Sequence, residues 1–510
     1  METAVDSAIR HIVIAGGGTA GYMCAAHLRV ALPPDVRLTL VESEDIGTIG
    51  VGEATIPTIR NYNAHLGIDE ADFIRRCEAT FKLGIEFVDW GHQGNTYFHG
   101  FGDHGDDVEA IPAYHYWRRL RELGDDTPLS AYSLPGRLAA AGKFFPPNPD
   151  PRSAMHAYSY AFQFDASLYA AYLRDFAEKR RLNRINARIG EVVHDTETGD
   201  ITALKLDTGQ TVEADFFIDC TGFRGLLIEG ALKAGFTDWG HWLPVDRAWA
   251  VPTEKPEGGI TPFTRATARE AGWQWRIPLQ HRTGNGYVFS TRYTDEDTAR
   301  QVLLDHLDAP PLRDPMLIRF RTGHRNRFWS HNCVCLGLAG GFIEPLESTS
   351  ISFIQNGIAR LLDLFPRRGA NPGLAAEYNR LTLQEYERTR DFIILHYHLN
   401  DRPEPLWRDC ATMDIPDTLR AKIDLFRRRG HISQREGDGF APPSWTSIYD
   451  GLGLVSETYD PLVRRRGDDD IRNLMRGRLD AIARVVAQLP PHARFIAEHC
   501  AAPRTAKTAS

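Results

Sequence analysis

The sequence predicts an α/β protein: a three-layer, Rossmann-like dinucleotide-binding domain with a mainly helical C-terminal lobe. Three observations carry this. An apolar run at residues 11–15 enters Gly16-Gly17-Gly18-Thr19-Ala20-Gly21 and then an apolar helix through Val30. A second apolar run, residues 36–41, ends on Glu42. Beyond about residue 370 the chain reads mostly helical.

The nucleotide assignment rests on context. Gly16, Gly18 and Gly21 stand in G-x-G-x-x-G spacing after a strand and at a helix start, and Glu42 follows 21 residues past the last glycine. The glycines allow a tight turn, close approach to pyrophosphate and close helix–strand packing. The helix start, at Thr19 and Ala20, offers unpaired N–H groups to the phosphates. Glu42 is placed to accept hydrogen bonds from ribose hydroxyls. No second fingerprint occurs, because Gly337-Leu338-Ala339-Gly340-Gly341 lacks the spacing. One bound nucleotide is expected, with reducing equivalents delivered from outside.

The remaining elements follow in order. Residues 61–81 read as helical, and 102–112 and 143–153 as loops rich in Gly, Asp and Pro. Residues 167–179 form a strongly amphipathic helix. Residues 186–219 alternate as strands around a turn at Asp207-Thr208-Gly209, and Asp219-Cys220-Thr221-Gly222 carries the chain past the nucleotide again. Residues 275–277 and 287–290 predict paired strands around a Thr283-Gly284-Asn285-Gly286 turn. Residues 333–337 are a further strand and 348–365 a long helix. The last ten residues, 501–510, read as a disordered tail. The domains expected are 1–390, nucleotide binding with inserted strands and substrate-side loops, and 391–500, a helical lobe covering the substrate.

Apolar residues make up 42% and charged residues 25%, an ordinary globular balance. The net charge of −8 argues against nucleic acid, which demands a basic surface. The run Arg464-Arg465-Arg466 meets Asp468-Asp469-Asp470 at once and reads as a solvated helix entry. No stretch approaches the ~20 apolar residues that span a bilayer, so no membrane role is expected. Seven scattered cysteines lack zinc spacing. Buried free thiols, a reducing cytoplasm and no metal are the expectation.

Four segments then occur in order: Gly50-Val51-Gly52-Glu53-Ala54-Thr55-Ile56-Pro57; Phe81-Lys82-Leu83-Gly84; Gly272-Trp273-Gln274-Trp275-Arg276-Ile277-Pro278; and Glu344-Pro345-Leu346-Glu347-Ser348-Thr349-Ser350. Together they resemble the flavin-dependent tryptophan halogenase family, over about residues 10–460. The Trp-x-Trp-x-Ile-Pro run is that family's diagnostic motif. The resemblance implies a fold like the FAD-binding monooxygenases. It also implies FAD, used as FADH2, a chloride or bromide ion, a separate flavin reductase, a small aromatic substrate, and a homodimer. Reduced FAD and oxygen would convert halide to hypohalous acid, which travels through the protein to a separate arene pocket.

Residue roles carry over position by position. Lys82 matches the lysine between the two sites, acting by hydrogen bond or as a haloamine; periodicity alone would put it on a helix surface. Glu347 matches the second catalytic residue, which would stabilise the cationic arene and accept its proton, or orient the oxidant beside Lys82, with Ser348 as a relay; a Lys82–Glu347 pair would keep the ammonium charged despite burial. Thr349 and Ser350 match the halide-holding residues, where an opening helix turn offers N–H groups to an anion. Several free-tryptophan enzymes have glycine in place of Ser350. Gly50, Val51, Gly52, Ala54, Ile189, Leu338 and Ile351 are expected along the flavin. Trp273 and Trp275 would wall it from substrate. His99 and Phe101 would sandwich the arene, with Trp445 as a further pocket residue. Residues 435–453 lack the adjacent tyrosines and the acid–Phe–Trp cluster with which free-tryptophan enzymes grip the amino acid. Indole, a larger indole, a phenol and a carrier-bound arene all stay open as substrates. The competing functions are a flavin-dependent aromatic hydroxylase and a flavin-binding redox or light sensor with no chemistry of its own.

Overall fold

A computed structural model describes residues 8–45, 52–255 and 259–503. A six-stranded sheet sits at the centre of the nucleotide-binding part. Strand His11–Ala15 pairs in parallel with Arg37–Glu42 on one side and Phe216–Asp219 on the other. Asn183–Asn186 and Cys333–Cys335 extend the sheet in parallel, and Trp329–Ser330 closes one edge antiparallel. All five residues of His11–Ala15 are buried, as a parallel strand covered on both faces must be. Helices Thr19–Ala31, Ala166–Glu178 and Ser350–Asp363 pack together beside this sheet.

A seven-stranded sheet forms the second wall, in the order 316–319, 247–253, 283–289, 272–278, 264–269, 84–88, 96–100. It is antiparallel except where 264–269 runs alongside 84–88. A small sheet of Gly52–Ala54, Ala161–Asp165 and Thr80–Lys82 packs against the seven-stranded sheet, where Gly52–Ala54 meets the strands 272–278 and 283–289. Helices Pro372–His398, Pro405–Thr412, Asp417–Arg429, Pro442–Gly451, Asp468–Gln488 and His492–His499 follow. No described helix is long and apolar enough to cross a membrane. All seven cysteines are free and buried.

Several expectations change. Residues 61–81 are not one helix. Thr58–His65 ends before Gly67, whose φ is +70°, and Glu70–Arg76 restarts on an Asp69 cap that accepts from Asp72 N at 2.7 Å. Glu78 at φ +50° then turns the chain into strand Thr80–Lys82. Lys82 is therefore a buried strand residue, not a residue of an amphipathic helix surface.

The tryptophan-bearing strands pair over Gly272–Pro278 and Thr283–Phe289, and the turn lies at 279–282, where Leu279 N donates to Arg282 O at 2.9 Å. Thr283-Gly284-Asn285-Gly286 is strand. Its glycines serve packing rather than turning: a Cβ at Gly286 would stand 2.1 Å from the Trp275 ring. The helix expected at 348–365 begins at Ser350. Helix Pro372–His398 runs unbroken through position 390. Of the expected tail 501–510, residues from 504 onward lie outside the described residues.

Candidate active site

The glycine loop closes over the C-terminal ends of the parallel strands, where open α/β sheets place their ligands. Gly16 has φ +104°, and a Cβ there would come within 2.3 Å of Cys220 O. The segment after strand Phe216–Asp219 thus passes beside the loop, as the sequence suggests. Asp219 anchors that passage: its buried carboxylate accepts from the backbone of Thr221, Leu227 and Ile228 at 2.8–2.9 Å. Ala20 meets the turn holding Leu338, since a Cβ on Gly337 would lie 2.9 Å from the Ala20 methyl. Helix Thr19–Ala31 opens at Gly18 with no side-chain cap and no acid in its first turn. Its first N–H groups are left for an anion.

Glu42 ends its strand with Oε1 accepting from Tyr22 Oη and Arg184 Nε, while Oε2 lies against Gly17. These features fit a dinucleotide. Ile351 is buried on helix Ser350–Asp363, and Ile189 begins an outlying strand of a separate three-stranded sheet. Gly52 and Ala54 stand on the strand that pairs with Ala161–Asp165. Gly50 and Val51 lie outside the described residues.

From Ala54 the chain leads directly to the second centre. Thr55 O accepts from Lys82 Nζ at 3.0 Å, and Ser348 Oγ accepts from the same Nζ at 3.0 Å. The Phe101 ring centroid lies 5.3 Å from that nitrogen. Lys82 has no solvent exposure. Burial lowers its ammonium to about 7, and the nearby Glu347 carboxylate opposes the shift. Ser348 holds its position at φ +58°, a left-handed conformation that a serine adopts at local cost.

Glu347 does not pair directly with Lys82 among the described contacts. Its carboxylate receives His99 Nδ1 at 3.0 Å on each oxygen and His396 Nε2 at 2.9 Å on Oε1. Burial favours its neutral form, yet the two histidines outweigh burial and hold it well below the usual carboxylate range. Ser348 is the covalent neighbour linking this carboxylate to the lysine. His99 thus reaches the Glu347 carboxylate. Its ring also lies 6.3 Å from Phe101, 5.8 Å from Phe392 and 6.2 Å from Phe440, centroid to centroid.

Trp445, on helix Pro442–Gly451, meets Phe392 edge-on at 4.9 Å and carries the buried Lys422 Nζ 4.5 Å above its ring. Trp273 and Trp275 lie 6.2 Å apart within the core. Trp273 Nε1 donates to Glu344 Oε1 at 3.0 Å, and Tyr397 Oη contacts both Glu344 oxygens at 3.0 and 3.1 Å. Thr349 precedes helix Ser350–Asp363, which also starts without a side-chain cap.

Sequence reasoning missed His396, Tyr397 and the role of Glu344. A polar pair ending the apolar stretch Phe392-Ile393-Ile394-Leu395 of a long helix was the available signal. Consecutive helix residues point to different sides, so one reaches Glu347 and the other Glu344.

A dinucleotide-binding enzyme with a second, enclosed ionisable centre is the class this geometry defines. The family profile for tryptophan halogenases matches residues 11–468. The chain is 37% identical over 495 residues to tryptophan 7-halogenase RebH of Lentzea aerocolonigenes, covering 89% of this chain and 91% of that protein. The structure of BrvH, a flavin-dependent halogenase from Brevundimonas sp. BAL3, superposes with a TM-score of 0.93 at 47% identity, over 97% of this chain and 99% of that one. Xcc4156, a flavin-dependent halogenase from Xanthomonas campestris, gives 0.94 at 45% identity, over 98% and 100%. The chain belongs to the tryptophan halogenase family and is an enzyme, a flavin-dependent halogenase.

Proposed function

We propose that this enzyme uses FADH2 and dioxygen to oxidise chloride or bromide, and that Lys82 passes the electrophilic halogen to an indole or another electron-rich arene. The observation that carries this is the placement of Lys82. Its Nζ touches Thr55 O on the side of the flavin segment, Ser348 Oγ on the side of Glu347, and the Phe101 ring.

Gly16, Gly18, Thr19, Ala20, Gly21, Glu42, Gly52, Ala54, Leu338 and Ile351 would hold FAD, with Gly50, Val51 and Ile189 in supporting places. Bound there as FADH2, the cofactor would supply the oxygen activation by which halide is oxidised to hypohalous acid. Thr349 and Ser350 would hold the halide through first-turn N–H groups. Trp273 and Trp275 keep the arene away from the flavin. Lys82 spends two N–H groups on Thr55 and Ser348, which leaves the third N–H of an ammonium for the hypohalous oxygen. Glu347 stabilises the cationic arene intermediate electrostatically. His99, Phe101 and Trp445 line the arene side. A separate flavin reductase supplies FADH2. A homodimer fits the family reading, and the seven free thiols fit a cytoplasmic enzyme.

The test is product mass. Enzyme, FAD, a flavin reductase and bromide are offered a panel of indoles and phenols. Bromine in place of hydrogen is expected, with no product when halide is withheld. A hydroxylated arene formed without halide would install the hydroxylase reading instead.

A further inference from the structure

Aromatic substitution ends with the loss of a ring proton, and the structure holds a second base for it besides Glu347. His99 Nδ1 meets both oxygens of Glu347 at 3.0 Å. An ionised carboxylate only accepts, so Nδ1 carries the hydrogen, and Nε2 is the nitrogen that holds a lone pair whenever the ring is neutral. That Nε2 is buried and has no hydrogen-bond partner among the described residues, and an unpaired buried nitrogen calls for a reason.

Glu347 is meanwhile fully engaged. His396 Nδ1 lies 2.8 Å from Phe392 O, a pure acceptor, so that nitrogen is protonated. One proton therefore lies between His396 Nε2 and Glu347 Oε1, whichever atom owns it. With both oxygens facing imidazole N–H groups, the carboxylate is better placed to stabilise a cation than to collect another proton. Beside His99, Phe392 and Phe440 stack at 3.9 Å, and an arene entering this cluster must part or replace that stack.

We propose that His99 Nε2 is the proton acceptor of the substitution step, with Glu347 as the group that orients it and balances the imidazolium. The inference rests on the halogenase reading. The arene π pair forms the carbon–halogen bond while the halogen–oxygen bond breaks and its pair leaves with oxygen. The ring C–H bond then breaks, its pair restores aromaticity, and the proton moves to Nε2. After that proton reaches the departed hydroxide, arene plus hypohalous acid has become haloarene plus water. Nδ1–H stays on Glu347 throughout, the arrangement by which a buried carboxylate supports an imidazole base.

The experiment compares indole with ring-deuterated indole in the wild type, His99→Asn and His99→Gln. Asn keeps an N–H near the Nδ1 position but offers no base at Nε2. Halogenation should fall about 10²- to 10⁴-fold, and a deuterium effect absent or small in the wild type should become pronounced as proton loss turns rate-limiting. A lowered rate with an unchanged isotope effect would assign His99 to positioning alone and overturn the proposal, as would near-normal turnover. Gln, closer in volume, repeats the measurement where Asn perturbs folding.

A second readout needs no cofactor. Nitrogen-15 spectra of the FAD-free protein should show one histidine in the Nδ1–H tautomer that disappears in His99→Gln; assignment of His99 to the Nε2–H tautomer overturns the role. A wild type that halogenates no arene fails the functional reading itself, which these spectra distinguish from a failure of His99.

Discussion

Glu344 and Glu347 stand three residues apart, both essentially without exposure, and the structure gives them opposite characters. Glu344 faces the Trp273 indole N–H and the Tyr397 hydroxyl, two neutral partners. Burial pushes it up to about 8, against the pull of those hydrogen bonds. Glu347 faces two imidazoles, with Lys82 close by, and lies well below the usual range. Desolvation is common to both. The partners decide which carboxyl is ionised at neutral pH: imidazoles for Glu347, an indole and a hydroxyl for Glu344. The ionised one sits beside Ser348 and close to the lysine, and the neutral one holds the Trp273 indole and the Tyr397 hydroxyl.

Removing the lysine breaks the ionised half most completely. Lys82→Ala should reduce halogenated product by about 10⁴-fold or more, the upper end for a positioned proton donor, while reduced flavin still consumes oxygen and releases peroxide. Product mass and peroxide assay on one reaction check this. Glu347→Gln comes next, with an expected loss of about 10²- to 10³-fold and FAD retained. Near-normal turnover in that variant would reduce Glu347 to a buried structural acid and erase its contrast with Glu344.

The pH dependence sharpens the contrast further. Lys82 titrates near 7 in the folded enzyme, so its ammonium is populated below that pH and lost above it. Single-turnover halogenation should therefore decline, roughly tenfold per unit once Lys82 is mostly neutral, as pH rises past 7. A rate that rises instead would favour the free amine and a haloamine. Lys82→Arg, charged throughout, should flatten the decline at a lower plateau.

The nucleotide half of the enzyme was legible because its signals are local. Strand, glycine loop, helix and Glu42 fall within 11–42, and the structure places them as the spacing implies. The second centre was legible residue by residue but not as a geometry. Lys82, His99 and Glu347 are named by motif, yet which of them touch depends on pairings across hundreds of residues. The direct Lys82–Glu347 pair did not form, because a strand puts Lys82 on Thr55 and Ser348. His396 and Tyr397 left no motif, since they act only through where one long helix ends. The tryptophan hairpin was shifted for a related reason: glycines that usually mark turns were read as one, while Gly286 serves the Trp275 ring.

The neutral half offers the mildest and most discriminating test. The folded protein keeps the Glu344 proton up to about pH 8, whereas an ordinary glutamate releases it near 4.5. A raised carboxyl pKa means that the folded state binds more protons across this window, so stability falls as pH climbs through it. Glu344→Gln removes the titration and keeps an oxygen for the Trp273 and Tyr397 donors. Wild type and variant should therefore respond alike to denaturant near pH 4.5. The variant should gain steadily up to about pH 8, on the order of a few kcal/mol at most, with halogenation little changed. A stability difference constant with pH would show that Glu344 does not retain its proton, and the two glutamates would then be alike in charge.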